Sequence, residues 1–175
     1  HKAPKQEGVT SKATPVKDLI SMQRRCFVMV PVRYCSYFAT GDQCQFCNYN
    51  GTQGQLASVG IDSPITINLA DAVEAYKICG SDVKLLEGKL EMGGFKKSEN
   101  EGKIFFSFVE RLSNALSYKP HLMLITESQT RKDYQRLKDV GLDSTSLQLE
   151  AWDPELVPQI LPGKAKHMPR EGWLE

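Results

Sequence analysis

Short apolar runs that suit buried strands alternate with amphipathic helical stretches along most of this chain, and the alternation predicts an α/β fold. Its order, β-loop-α-β-α-β-α-β-α, implies parallel strands joined by right-handed crossovers. Length and composition agree. The 175 residues are 41% hydrophobic and 25% charged, the balance of one ordinary globular domain with a substantial core.

Each element rests on its own signals. Residues 1–20 are polar, with Pro4, Gly8, Pro15 and several lysines, and read as an N-terminal tail that ends near Val16. Arg25-Cys-Phe-Val-Met-Val-Pro31 is apolar and stopped by proline, as a buried strand would be. From Arg33 to about Pro64 the chain is rich in Gly, Asn, Gln, Ser and Cys without a helical period, which implies a long loop that needs an organiser. Asn68 then caps a helix whose Leu69, Ala72, Val73, Tyr76 and Cys79 share one face, with Gly80 as its stop.

Gly88-Lys-Leu-Glu-Met-Gly-Gly94 reads as the second strand. Ile104, Phe105, Phe108, Val109, Leu112 and Leu116 form the stripe of a helix that ends by Pro120. His121-Leu-Met-Leu-Ile-Thr126 is the third strand, followed by an amphipathic helix from about Thr130 to Val140 that Gly141 terminates. Ser146-Leu-Gln-Leu-Glu150 is the fourth strand, and a helix from Pro154 to about Leu161 stops at Pro162-Gly163. In parallel sheets and barrels the loops after the strands form the active face. The cysteine loop, Gly93-Gly94, Thr126 to Ser128 and Glu150 all fall at those carboxyl ends.

Charge excludes some partners. With 22 basic and 21 acidic side chains the net charge is +1, too weak a field to hold nucleic acid or an anionic bilayer. No run of eighteen apolar residues and no signal peptide is seen, so neither a nucleic-acid nor a membrane partner is expected, and a cytoplasmic location is. Five cysteines are an odd number, and three of them crowd between positions 35 and 47, which points away from secreted disulfides and toward metal or redox chemistry.

Cys35-x8-Cys44-x2-Cys47 offers three thiolates from one loop, the donors that iron–sulfur clusters and soft metals prefer. Spacing alone leaves three readings open: a cluster, a zinc site completed by Cys26 or a histidine, and unliganded thiols. Cys26 and Cys79 read as core residues, and His121 and His167 as lone histidines.

A three-cysteine loop after the first strand of a parallel β/α array, ending Cys44-Gln-Phe-Cys47, resembles the radical S-adenosylmethionine (SAM) superfamily, in particular its members like biotin synthase and lipoyl synthase. The resemblance runs from about Arg25 to the last residue. It implies a partial parallel (β/α) barrel, TIM-barrel-like, with about four β/α units in residues 21–175. It also implies that Cys35, Cys44 and Cys47 hold a [4Fe–4S] cluster whose open iron binds SAM. Phe46 and Tyr49 then lie by the adenine, Gly93 and Gly94 approach the methionine amine, and Ser128 and Glu150 supply polar contacts.

A radical enzyme of this kind acts on a small-molecule or peptide substrate and takes electrons from a donor such as flavodoxin or ferredoxin. Eight residues separate Cys35 from Cys44 where the family's commonest spacing is three, and Phe95 stands where an acidic residue often follows the glycines. His1 at the start, and the absence of a fifth-strand glycine motif before Glu175, suggest the N-terminal part of a longer barrel. The alternative is a zinc- or cluster-stabilised α/β binding module without catalysis.

Overall fold

A computed structural model of the chain describes residues 8–33, 35–60, 67–80, 86–92, 99–115, 120–126 and 130–167. It is a mixed α/β structure on a five-stranded sheet whose strands follow chain order: β1 (Ser21–Gln23), β2 (Cys26–Val32), β3 (Glu87–Met92), β4 (His121–Thr126) and β5 (Ser144–Leu147). β1 and β2 form an antiparallel hairpin, and β2 through β5 are parallel. The helices are α1 (Ser36–Thr40), α2 (Tyr49–Ser58), α3 (Leu69–Gly80), α4 (Glu99–Ala115), α5 (Arg131–Asp139), α6 (Val157–Ile160) and α7 (Pro162–His167).

The strand register explains where the core sits. Phe27 pairs with Gly88 and Gly88 with Leu122, while Met29 pairs with Leu90 and Leu90 with Leu124, so these residues share one face. Against that face pack Ala72, Ala75, Tyr76 and Cys79 of α3, Phe108, Val109 and Leu112 of α4, and Leu137 of α5, in one cluster. Helices α3, α4 and α5 therefore cover the same side. The opposite face carries Val28, Val30, Lys89, Glu91, Met123 and Ile125, all half-buried.

Local chemistry places the helices. Asn68 Oδ1 accepts from the backbone N–H groups of Ala70 and Asp71 at 2.9 and 3.2 Å, which starts α3 as its sequence predicts. Thr130 caps α5 by accepting from Asp133 N–H, and Gly141 follows α5 at φ 98, a left-handed conformation that glycine adopts at little cost. Strands β2, β3 and β4 lie within two residues of their predicted ends.

Three expectations change. The span from Arg33 to Pro64 is not free of helix. It holds α1, too short to show a period, and α2, whose sequence YNGTQGQLAS has no apolar stripe. The fourth strand is Ser144–Leu147, so Glu150 lies three residues beyond it rather than on it. Pro162-Gly163 does not end the helical region. Pro162 opens α7, where a proline's missing N–H costs nothing.

Residues 10–20, within the span given to the tail, pack on the fold. Val16, Leu19 and Ile20 are buried in the core, an i, i+3, i+4 set within a polar stretch. Thr10 and Thr14 hydroxyls donate to the two carboxylate oxygens of Asp71 on α3, and Ser11 donates twice to Glu74 at 2.8 Å. No helix among the described residues is long and apolar enough to cross a membrane.

Candidate metal centre at the carboxyl ends of the strands

The cysteine loop opens directly after β2. Cys35 is buried and sits at the N-cap of α1 in an extended conformation, φ −129° and ψ 119°. α1 stops at Gly41, whose φ of 72° is the left-handed turn that favours glycine, and Asp42 N–H bonds the Tyr37 carbonyl at 2.9 Å. A tight turn follows, in which Cys47 N–H reaches the Cys44 carbonyl at 3.0 Å. Cys44 and Cys47 are half-buried.

Tyr49, at the start of α2, folds back on the strand: its hydroxyl donates to the Val32 carbonyl at 3.3 Å. Burial pushes its phenol up to about 12, against the pull of Arg33; Cys35, Glu91 and Cys47 lie close enough to add to the rise. Arg33 is lowered, first by its own burial, while Tyr49 and Asp18 oppose the change. Its guanidinium donates to the Asp18 carbonyl, which ties the end of β2 to the N-terminal segment. Tyr49 thus stands among Arg33, Cys35, Cys47 and Glu91. Phe46, by contrast, points outward and is 59% exposed.

The donor chemistry suits a thiophilic cluster, since three thiols fall within one short loop. The side chains are not gathered into a finished cage: among the described residues no three His, Cys, Asp or Glu side chains stand close enough together to hold a metal ion. Gln43 Oε1, beside Cys44, is buried without a hydrogen bond, at a cost of about 1–3 kcal/mol.

Glu150 lies beyond β5 in an exposed loop, at φ 65°. Ala151 N–H bonds the Leu149 carbonyl at 2.7 Å, closing a three-residue turn around it that is rare for a residue with a side chain. Such backbone strain concentrates at functional sites. Gly93, Gly94 and Ser128 lie outside the described residues.

The chain after β5 returns to the cysteine loop. Gln45 N–H bonds the Ile160 carbonyl and Gly163 N–H the Asp42 carbonyl, both at 2.9 Å, and Lys166 Nζ is 3.4 Å from Asp42 Oδ2. Lys164 in turn donates to the Gln148 carbonyl at 2.8 Å. Loop and post-β5 segment therefore form one unit.

Arg33 and Glu91 were not singled out from the sequence. The available signal was Lys89 and Glu91 two residues apart in a central strand, charges on the side opposite buried Gly88 and Leu90. A groove of about 550 Å³ lies between α5 and the start of β5, at the other end of the sheet. Two of its polar groups are already engaged: Asp143 accepts from Leu122 N–H, and Ser144 bonds His121. No protein-family model, no curated protein and no solved structure matches the chain.

Proposed function

We propose that the chain is the cluster-binding and SAM-binding part of a radical SAM enzyme, built on a partial (β/α) barrel. The observation that carries the reading is the position of the cysteine loop, directly after β2 at the carboxyl end of a parallel sheet. Strands in chain order, with α3, α4 and α5 on one face, suit a barrel wall. A doubly wound sheet has a reversal of strand order, which the five described strands do not show.

Cys35, Cys44 and Cys47 would supply three thiolates to a [4Fe–4S] cluster, leaving one iron for SAM. A reduced cluster bound there would supply the electron for cleavage of SAM to methionine and a 5′-deoxyadenosyl radical, the species that would abstract hydrogen from the substrate. The chain's own residues bind and orient. By the resemblance, Phe46 and Tyr49 would take the adenine side, Gly93 and Gly94 would allow close backbone approach to the methionine amine, and Ser128 and Glu150 would offer acceptors to its ammonium or ribose hydroxyls. The substrate would be a small molecule or peptide, and the electron donor a flavodoxin or ferredoxin.

Anaerobic reconstitution with iron and sulfide tests the reading. A brown protein whose reduced electron paramagnetic resonance (EPR) spectrum changes on adding SAM, and whose Cys47→Ala variant loses iron, is the expected result. One equivalent of tightly bound colourless zinc, with no response to SAM, would overturn it in favour of a non-catalytic module.

A further inference from the structure

The eight residues between Cys35 and Cys44 are α1, its glycine cap, Asp42 and Gln43, and this insert docks on the chain after β5. The contact is close. A methyl group added at Gly163 would sit 2.5 Å from Tyr37 Cγ and 2.6 Å from the Asp42 carbonyl oxygen, so only glycine lets α7 approach the insert. Tyr37 is 2% exposed, and Asp42 receives both Gly163 N–H and the Lys166 ammonium. Gln45, one residue past Cys44, is held by Ile160. Both sides of the Cys44 position are therefore fixed from α6 and α7.

We propose that Tyr37, Asp42 and Gly163 form a clasp of positioning residues, through which the post-β5 segment anchors the loop that carries the three cysteines of the proposed metal centre. This rests on the cluster reading above. The long spacing between the first two cysteines is then a docking insert rather than slack. Gly163 acts through the loop and touches no ligand itself, and Lys164 next to it bonds the Gln148 carbonyl, two residues before Glu150.

The test compares the full-length chain with Gly163→Ala, Asp42→Asn and, as a control on the same segment, Gln159→Ala. Gln159 is exposed and bonds only within its own segment, to the Glu155 carbonyl. Two readouts are taken. In metal-free protein, alkylation of buried Cys35 reports how often the loop opens; in reconstituted protein, iron content and the SAM-dependent EPR change report the centre.

Gly163→Ala should retain a cooperative unfolding transition, label Cys35 about tenfold faster, and lose iron or the SAM-dependent EPR change. Asp42→Asn should move the same way by less, and Gln159→Ala not at all. If Gly163→Ala does not fold, Tyr37→Leu, which removes the ring that Gly163 packs on, decides. Unchanged Cys35 labelling overturns the clasp. Faster labelling with parental iron content and EPR also overturns it, because the loop is then loosened without consequence for the centre. A parent chain that takes up no iron, yet shows the labelling contrast, overturns the cluster reading and leaves the docking of the insert standing.

Discussion

Gly88 offers a direct measure of how tightly the sheet that carries the cysteine loop is packed. It lies on β3 between Phe27 of β2 and Leu122 of β4, in register with both. A Cβ at this position would fall 2.3 Å from Phe27 Cζ, 2.4 Å from Phe27 Cε1 and 2.9 Å from Leu122 Cδ2. The Phe27 ring has little room to retreat, being fully buried and set edge-on against Tyr76 with centroids 5.3 Å apart. Replacing glycine by alanine in a strand gains about 0.5–1 kcal/mol by restricting the unfolded chain, and overpacking a core costs about 1–3 kcal/mol. Overpacking wins. Gly88→Ala should lose about 1–2 kcal/mol, read as a lower urea midpoint and a melting temperature lower by roughly 2–8 °C. Phe27→Leu removes the clashing atoms, so the double variant should be more stable than the sum of the two single changes allows. Parental stability for Gly88→Ala, or strict additivity with Phe27→Leu, would refute the packing argument.

Two further outcomes follow from the strained turn and the buried thiol. Glu150→Gly should raise stability by about 0.5–1 kcal/mol by relieving a positive φ, while Glu150→Ala should not; both should weaken the SAM-dependent spectral change if the carboxylate contacts SAM, and a destabilised Glu150→Gly would contradict the strain. Burial raises the Cys79 thiol from an ordinary 9.0 to about 11, so between these values the unfolded chain has released a proton that the folded chain still holds. Stability from this group is therefore complete below pH 9.0 and declines toward pH 11. Urea midpoints measured across that range should fall less steeply in Cys79→Ala than in the parent, and identical slopes would show that Cys79 does not contribute.

What could be read from the sequence is what periodicity encodes. α3, α4 and α5 bury Tyr76, Phe108 and Leu137 on stripes that repeat every three or four residues, and β2 and β4 are continuous apolar runs buried by helices on one side. What could not be read lacks such a pattern. β1 has three residues, β5 pairs through Ser144 and Thr145 at an edge of the sheet, and α2 is polar around its circumference. Val16, Leu19 and Ile20 are an apolar triplet too short to stand out from the lysines near it, and their burial depends on tertiary contact with α3.

The candidate site divides along the same line. Three thiols in one loop are a chemical signal that needs no fold to be seen, and Glu150 stands out as an acid near a strand end. The partners that hold these residues are distant in sequence: Gly163 lies more than a hundred residues beyond Tyr37, and Pro162-Gly163 carries the letters of a chain stop. The same two residues have other uses when the chain must come close, since proline can open a helix and glycine leaves space for a ring. The Cys35-to-Cys44 spacing follows from that arrangement. A shorter link would remove α1, and with it the Tyr37 and Asp42 contacts through which α7 reaches the loop. Loop spacing and the Pro162-Gly163 pair are therefore one feature of the structure, and shortening the loop should have the same effect on the cysteines as filling the space at Gly163.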